Sequence, residues 1–180
     1  MHSKGNRGYS LIEILIAIAI LGSVIISILT LFVLGQKNIY SGKQMTYAVS
    51  SGTRVMEDLN TLSKSATLVA FGLNTATTGT TVTAGGQSFA NSFLRTTNTI
   101  SSTTDPSGFL QRWKDEIDDN DKFNTGAVSI VFTPTADSAA NNPPRMTTGT
   151  VIRMRVFVTW RETGRRERQI VLDTVKIERN

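Results

Sequence analysis

RGYSLIEILIAIAILGSVIISILTLFVLG, which runs from Arg7 to Gly35, decides how this chain is organised. Within it, Ile14–Leu34 are 21 consecutive uncharged residues. As an α-helix they would rise about 31 Å, which matches a bilayer hydrocarbon core of about 30 Å. The run is longer than the apolar core of a cleaved secretory signal, which has roughly 7 to 15 residues. The sequence therefore predicts a membrane-spanning helix at the N-terminus.

The charges around this run predict its orientation. Lys4 and Arg7 precede it, and basic residues concentrate on the cytoplasmic side of membrane helices. We therefore expect the N-terminus to lie in the cytoplasm and the chain after Gly35 to be exported. The formal net charge of +5 arises at the other end of the chain, because Arg145–Asn180 holds nine Lys and Arg against four Asp and Glu.

One carboxylate, Glu13, stands at the start of the apolar run, five residues after Gly8. A charge within a hydrocarbon span is costly, and such residues usually have a charged partner or a function. The residues before it form a short leader that contains Lys4 and Arg7 and ends in glycine. The spacing of the basic residues, the glycine and the glutamate is therefore the most informative motif in the chain.

This basic leader and the apolar helix with its glutamate resemble the class III signal of type IV pilins and type II secretion pseudopilins. The resemblance implies that a prepilin peptidase cuts after Gly8, that Tyr9 becomes the N-methylated N-terminus, and that Glu13 guides assembly. It also implies contacts with other pilins or pseudopilins through the N-terminal helix, with the inner-membrane assembly platform, and with membrane lipid before assembly. Residues 1–8 are then the leader, and residues 9–35 the transmembrane assembly helix.

The chemistry of Glu13 is consistent with a role in assembly. Cleavage after Gly8 would create an α-ammonium group on Tyr9, and an opposite charge within about 4 to 6 Å stabilises a carboxylate in a low dielectric. The ammonium group of a neighbouring subunit would meet Glu13 and fix the axial register. Pairing of Tyr9 with Glu13 of the same chain is a competing arrangement. An uncleaved signal anchor with a hydrated glutamate is the alternative to the whole interpretation.

Residues 36–71 are amphipathic and predict the second half of one long helix. Small and apolar residues recur there at steps of three and four, the period of a helix face. These residues are Met45, Ala48, Gly52, Val55, Leu59, Leu62, Ala66 and Val69. Residues 72–180 then form the exported head. Its first part, Gly72–Gly108, is rich in Thr, Ser, Gly and Asn, and it predicts a long variable loop with one short element at most, either a contact loop or a solvated linker.

The rest of the head predicts a short helix and three strands. In FLQRWKDEIDD, which starts at Phe109, the apolar residues share one side of a helix, so we expect Trp113 in the core. Alternating apolar residues indicate half-buried strands around residues 128–133, 152–160 and 170–174. We predict an α+β fold in which the long N-terminal helix packs on a small antiparallel β-sheet, as in pilins. The segments VFVTW and IVLDTVKI also resemble the C-terminal part of PilV-type minor pilins and minor pseudopilins.

Catalysis is not predicted. The chain has no cysteine, and its one histidine, His2, lies in the leader, so the mature chain has neither histidine- nor cysteine-based chemistry. Asp118, Asp119 and Asp121 lack the glycine and the distal glutamate of a calcium loop. We therefore expect no enzyme activity, no cofactor and no metal. We interpret the chain as a minor pilin or pseudopilin that resides in the inner membrane and then enters an extracytoplasmic, type IV pilus-like filament, where it supports assembly or priming at or near the tip. The sequence does not distinguish a pilus from a secretion pseudopilus or a competence system.

A second interpretation is a DNA-uptake or adhesive pilin that binds its ligand through basic residues near the C-terminus. These residues are Arg153, Arg155, Arg161, Arg165, Arg166 and Arg168. Such a cluster would bind nucleic acid in a salt-dependent way, and Phe157 and Trp160 lie among the arginines as candidates for base stacking. The alternative is a charged sheet face that aids solubility or pairs with the acidic segment Asp115–Asp121 of a neighbouring subunit. We prefer this alternative because strand alternation points Trp160 into the core.

Overall fold

The computed structural model describes five stretches of the chain, namely residues 10–74, 79–118, 125–135, 151–161 and 167–177. Its helices and strands follow in the order α1 (Leu11–Thr61), α2 (Lys64–Ala70), β1 (Thr80–Ala84), β2 (Gln87–Thr96), α3 (Phe109–Asp118), β3 (Gly126–Thr135), β4 (Val151–Arg161) and β5 (Glu167–Ile177). The long N-terminal helix packs against a five-stranded antiparallel sheet. The predicted α+β, pilin-like fold is therefore confirmed.

The chain divides into two compact units, Met1–Lys43 and Gln44–Asn180. In the first unit, α1 exposes its large apolar side chains. The side-chain hydroxyls of Ser23, Ser27 and Thr30 donate to backbone carbonyls one turn earlier, so these polar groups have hydrogen-bond partners within the helix. Among the described residues, α1 alone is long and apolar enough to cross a bilayer. These features fit the predicted transmembrane helix.

In the second unit, the remaining part of α1 lies against the sheet. The residues Gln44, Ala48, Gly52, Val55 and Leu59 are buried at steps of four, four, three and four, so the predicted helix face is confirmed from Ala48 to Leu59. Gly52 makes the closest approach. A Cβ atom at Gly52 would lie 2.8 Å from Leu172 Cδ1 and 3.2 Å from Ile170 Cδ1. The absent side chain therefore lets the helix backbone pack directly on β5.

The prediction of one helix through Val69 is wrong at its C-terminal end. Helix α1 ends at Thr61, and Ser63 begins α2 as its N-cap, with its hydroxyl accepting from the Ala66 backbone N–H at 3.1 Å. A serine N-cap competes with helix continuation because its side chain satisfies a backbone donor of the next helix. Val69 therefore lies on α2 and is 53% exposed, although the spacing of three and four residues had placed it on the buried face.

The five strands form one sheet in the order β1-β2-β3-β4-β5, and every neighbouring pair is antiparallel. Strands β1 and β2 occupy the segment predicted as a loop, so that prediction is wrong. The missed signal is the glycine pair that separates a Thr-rich segment from a Phe-containing one. Gly85 and Gly86 have φ values of 55° and 72°, and Ala84 pairs with Gln87 across them. Positive φ at both central residues is the geometry of a two-residue hairpin turn.

The main core lies between the helices and the sheet. It contains Trp113 and Trp160, each 2% exposed, which confirms both as core residues. Phe71 lies at its centre, with ring centroids 5.9 Å from Trp113 and 5.2 Å from Phe132. Helix α3 is held in place at its start by Asp105, whose Oδ2 accepts from the Gln111 backbone N–H at 3.0 Å. An acidic cap suits the positive end of a helix dipole.

The opposite face of the sheet, which we call the outer face, is partly covered by the β1–β2 hairpin. The hairpin buries Val131 and Phe157 in a second, smaller apolar cluster with Ala84. Gln169 Nε2 donates to the Gly85 carbonyl at 3.0 Å and holds the turn over Phe157. The prediction of a sheet with one apolar face therefore fails here, because a hairpin that the sequence analysis did not predict covers part of the other face.

Candidate functional site

The start of α1 places Glu13 in the first helical turn. The Ser10 carbonyl accepts from the backbone N–H groups of Glu13 at 2.9 Å and Ile14 at 3.3 Å, so Ser10 occupies the N-cap position. A carboxylate in the first turn interacts favourably with the helix dipole. The Ser-x-x-Glu spacing of Ser10 and Glu13 is that of a capping box, a signal that the sequence interpretation missed. Glu13 thus has a local stabilising role alongside any role in assembly.

No cation of the apolar segment can neutralise Glu13. The next basic residue along α1 is Lys37, which lies 24 positions further on, a rise of about 36 Å along the helix. The Glu13 side chain is exposed on the surface of the described chain. Lys4, Arg7, Gly8 and Tyr9 lie outside the described residues. An opposite charge for Glu13 must therefore come from the N-terminal segment itself or from another molecule.

Two of the predicted basic residues are brought together on the outer face. Arg153 donates from Nε to both oxygens of Asp173, at 3.0 and 2.9 Å, and from Nη2 to Oδ2 at 2.5 Å. Arg155 donates from Nε to the same Oδ2 at 3.1 Å. The hydrogen bond from Arg153 is the main reason that the pKa of Asp173 is lowered from its ordinary value. Two guanidinium groups share one carboxylate, so this cluster keeps one net positive charge.

Arg155 also connects the cluster to the β1–β2 hairpin. Its guanidinium carbon lies 5.1 Å from the centroid of the Phe89 ring, a cation–π distance. Phe89 in turn packs on Phe157, with ring centroids 5.7 Å apart. The Arg155 side chain is therefore held between a carboxylate and an aromatic ring, whereas Arg153 stands further out, with 49% of its side chain exposed.

The other predicted basic residues do not join this cluster. Arg161 pairs in register with Glu167 at the far end of β4. Arg168 pairs with Trp160, and cross-strand partners project to the same side, so Arg168 projects toward the helices. Arg165 and Arg166 lie outside the described residues. In the described part of the chain, the arginines are thus divided between two faces and two ends of the sheet.

The aromatic residues among the arginines are not exposed for stacking. Phe157 is 0% exposed and Trp160 is 2% exposed. Base stacking on single-stranded nucleic acid needs an accessible ring. The geometry of the described strands therefore gives a nucleic-acid interface less support than a charged sheet face. Nor do the described residues bring three His, Asp or Glu side chains close enough together to hold a metal ion.

Comparison with known proteins identifies the N-terminal segment. Residues 3–34 match the family model described as the prokaryotic N-terminal methylation motif. The match includes Gly8, Tyr9 and Glu13, together with all but the last residue of the apolar stretch quoted above, and it ends before the head. No curated protein and no solved structure matches the chain. The motif fits membrane anchoring through α1 and suggests a structural subunit rather than an enzyme. Together with the fold, the motif supports a type IV pilin- or pseudopilin-like protein with a class III signal. A signal of this type implies processing by prepilin peptidase and assembly with other pilins.

Proposed function

We propose that this chain is a minor pilin or pseudopilin, a non-catalytic subunit that supports assembly or priming at or near the tip of a type IV pilus-like filament. The observation that carries the proposal is the position of Glu13. It is the one charged side chain between Gly8 and Gln36, and it lies within the segment that matches the methylation motif. A lone carboxylate in an apolar helix calls for a specific partner.

The partner that fits Glu13 is the α-ammonium group that cleavage after Gly8 would create on Tyr9 of an adjacent subunit. An incoming helix with an unpaired carboxylate would be attracted to that group while the apolar surfaces pack. The ion pair would fix the axial position of the new subunit because a misplaced helix would leave both charges unpaired in a low dielectric. The start of α1 at Leu11 supports this arrangement, since it places Glu13 in the first helical turn, near the N-terminal end of the helix.

Before assembly, the protein would sit in the inner membrane as a single-pass protein with Lys4 and Arg7 on the cytoplasmic side and the head outside. The exposed apolar side chains of the first unit would contact lipid. The assembly platform would then extract the helix into the filament. The resemblance of the segments VFVTW and IVLDTVKI to PilV-type minor pilins is what favours a minor over a major role in this proposal.

Cleavage is tested on the protein extracted from membranes of cells with an active prepilin peptidase. Intact-mass analysis should give a chain that begins at Tyr9 and carries one additional methyl group. Replacing Gly8 with a bulky residue should leave an inserted but unprocessed precursor. A wild-type chain that still begins at Met1 would refute the filament proposal.

The role of Glu13 is tested by separating insertion from assembly. Glu13→Gln and Glu13→Ala should insert into the membrane as well as wild type because the span needs only apolar length and flanking charge. Neither variant should co-purify with sheared filaments. Glu57→Gln, which removes an exposed carboxylate from the second half of α1, is the matched control and should assemble normally. Normal incorporation of Glu13→Ala would rule out the pairing role.

A further inference from the structure

Strand β5 carries an exposed apolar row at the edge of the sheet. It is the last strand in the order, and its outward residues Val171, Val175 and Ile177 are 44%, 52% and 65% exposed. The hairpin that shields the neighbouring part of the outer face does not bury them. Soluble proteins usually protect edge strands, and clustered exposed apolar residues mark interaction surfaces. We call Val171, Asp173, Val175 and Ile177, together with Arg153, the β5 strip.

The β5 strip has a positive charge beside its apolar row. Arg153 pairs in register with Val175, so the two side chains are neighbours on the outer face. The carboxylate of Asp173 is shared by Arg153 and Arg155, and Nη1 of Arg153 makes no further hydrogen bond to the described residues. A guanidinium has five N–H donors arranged to bind carboxylates. The strip is therefore suited to a surface that supplies a carboxylate.

The other side of the head supplies such carboxylates. Helix α3 turns Trp113 and Ile117 into the core and exposes Lys114, Asp115 and Asp118. Its remaining acidic residue, Glu116, is bound by Arg54 at 2.7 Å. Asp118, at the end of the helix, has no hydrogen bond or ion pair within the described residues. The exposed end of α3 is thus acidic, and it lies across the sheet from the β5 strip.

We propose that the β5 strip of one head binds the exposed, acidic end of α3 in a second copy of this chain, with Asp118 of that copy facing Arg153. This inference rests on the proposed function, and it adds that two copies of this chain are neighbours in the filament. The two surfaces are different, so the contact is heterologous. The charge complementarity sets the pairing, and the apolar row adds buried area.

The test uses the absence of cysteine from the chain, which allows single cysteines to be introduced without side reactions. Full-length Val175→Cys and full-length Lys114→Cys proteins are reconstituted together in phosphatidylcholine vesicles and mildly oxidised. A disulfide-linked pair containing one chain of each variant should form. Thr81→Cys, on the exposed part of β1, is the control partner for Val175→Cys and should give little product. Absence of the mixed Val175–Lys114 product would overturn the proposal.

Charge reversal tests the predicted ion pair. Arg153→Glu in the Val175→Cys chain should lower the yield of the mixed product roughly two- to fivefold, as expected for an exposed ion pair. Asp118→Arg in the Lys114→Cys chain should restore it. Arg161→Glu, on the same face at the other end of β4, should leave the yield unchanged. A fall in yield with Arg161→Glu as large as that with Arg153→Glu would contradict the predicted ion pair. So would a yield that Asp118→Arg does not restore.

Two further outcomes separate this contact from the filament proposal. Val175→Cys chains that link to each other in preference to Lys114→Cys would indicate edge-to-edge pairing of β5 and refute the α3 contact. The same variants are also fractionated for filaments in cells. Normal filament incorporation without the mixed product would overturn the contact alone. If the mixed product forms in vesicles but the chain is never processed or assembled in cells, the contact is supported and the filament function is overturned.

Discussion

Trp113 donates its indole N–H to Asp58 Oδ2 at 2.8 Å and so joins α3 to α1. Arg112 donates to the same oxygen at 2.5 Å. The indole ring is packed in the main core, where Trp113 is 2% exposed, so its donor has little access to water. A buried donor without an acceptor is costly. The carboxylate of Asp58 therefore fixes the position of α3 on α1.

Asp58→Ala should lower the free energy of unfolding of the head by about 1 to 3 kcal/mol, the usual cost of a buried unsatisfied polar group. Both tryptophans of the chain lie in the head core, so tryptophan emission reports head unfolding in the full-length protein in detergent. Urea denaturation monitored by tryptophan emission gives the free energy of unfolding. Glu57→Ala, at the exposed neighbouring position, should change it by no more than about 0.5 kcal/mol. Equal effects of the two substitutions would contradict the role of the Trp113 hydrogen bond.

Gln44→Leu should stabilise the head. Gln44 is 2% exposed, and neither its Oε1 nor its Nε2 has a hydrogen-bond partner. Replacing an unpaired buried amide by an apolar side chain removes a penalty of about 1 to 3 kcal/mol. The urea midpoint of the full-length variant should rise, whereas Gln36→Leu, at an exposed position of α1, should not shift it. A lower midpoint for Gln44→Leu would show that the amide is satisfied in solution.

The Asp173 cluster should make stability depend on pH. Arg153 and Arg155 lower the pKa of Asp173 in the folded state, so the charged form is favoured by folding. The resulting stabilisation is complete above the pKa of an unfolded aspartate, about 3.9, and is lost as the pH falls through the lower folded value. Thermal melts of wild type and Asp173→Asn should therefore differ at pH 7 and converge in strong acid. A difference that does not depend on pH would rule out the charge as its cause.

Two glycines of α1 should respond in opposite ways to substitution. Gly52→Val should destabilise the head because even its Cβ would lie 2.8 Å from Leu172 Cδ1, and two further methyl groups have no room. Gly42→Ala meets no atom within 4 Å and should stabilise the helix by about 1 kcal/mol through propensity alone. Helical ellipticity and urea midpoints of the full-length variants test both. A tolerated Gly52→Val would mean that α1 does not pack this closely on β5.

The sequence correctly predicted the buried face of α1 and the core position of Trp160, and each of these predictions depends on a local pattern. The three-four spacing from Ala48 to Leu59 identified the buried helix face, and alternation in β3, β4 and β5 placed Trp160 in the core. Its errors arose where local signals were ambiguous. Ser63 reads as an ordinary surface residue until its N-cap geometry is seen. The Gly85–Gly86 turn lies in a Thr- and Ser-rich segment whose composition is typical of a loop.

What the sequence by itself determined is the N-terminal segment. Its uncharged length, its flanking Lys4 and Arg7, and its isolated Glu13 lie next to each other along the chain, so the physics of bilayer insertion can be applied to them directly. The matched methylation motif lies in the same residues. The tertiary structure decided everything that depends on register. Arg153 and Arg155 meet Asp173, and Arg168 projects to the other face, because the register of β4 with β5 sets which side chains are neighbours. That register depends on the turn geometry and on how both faces of the sheet pack, and alternation within one strand does not give it.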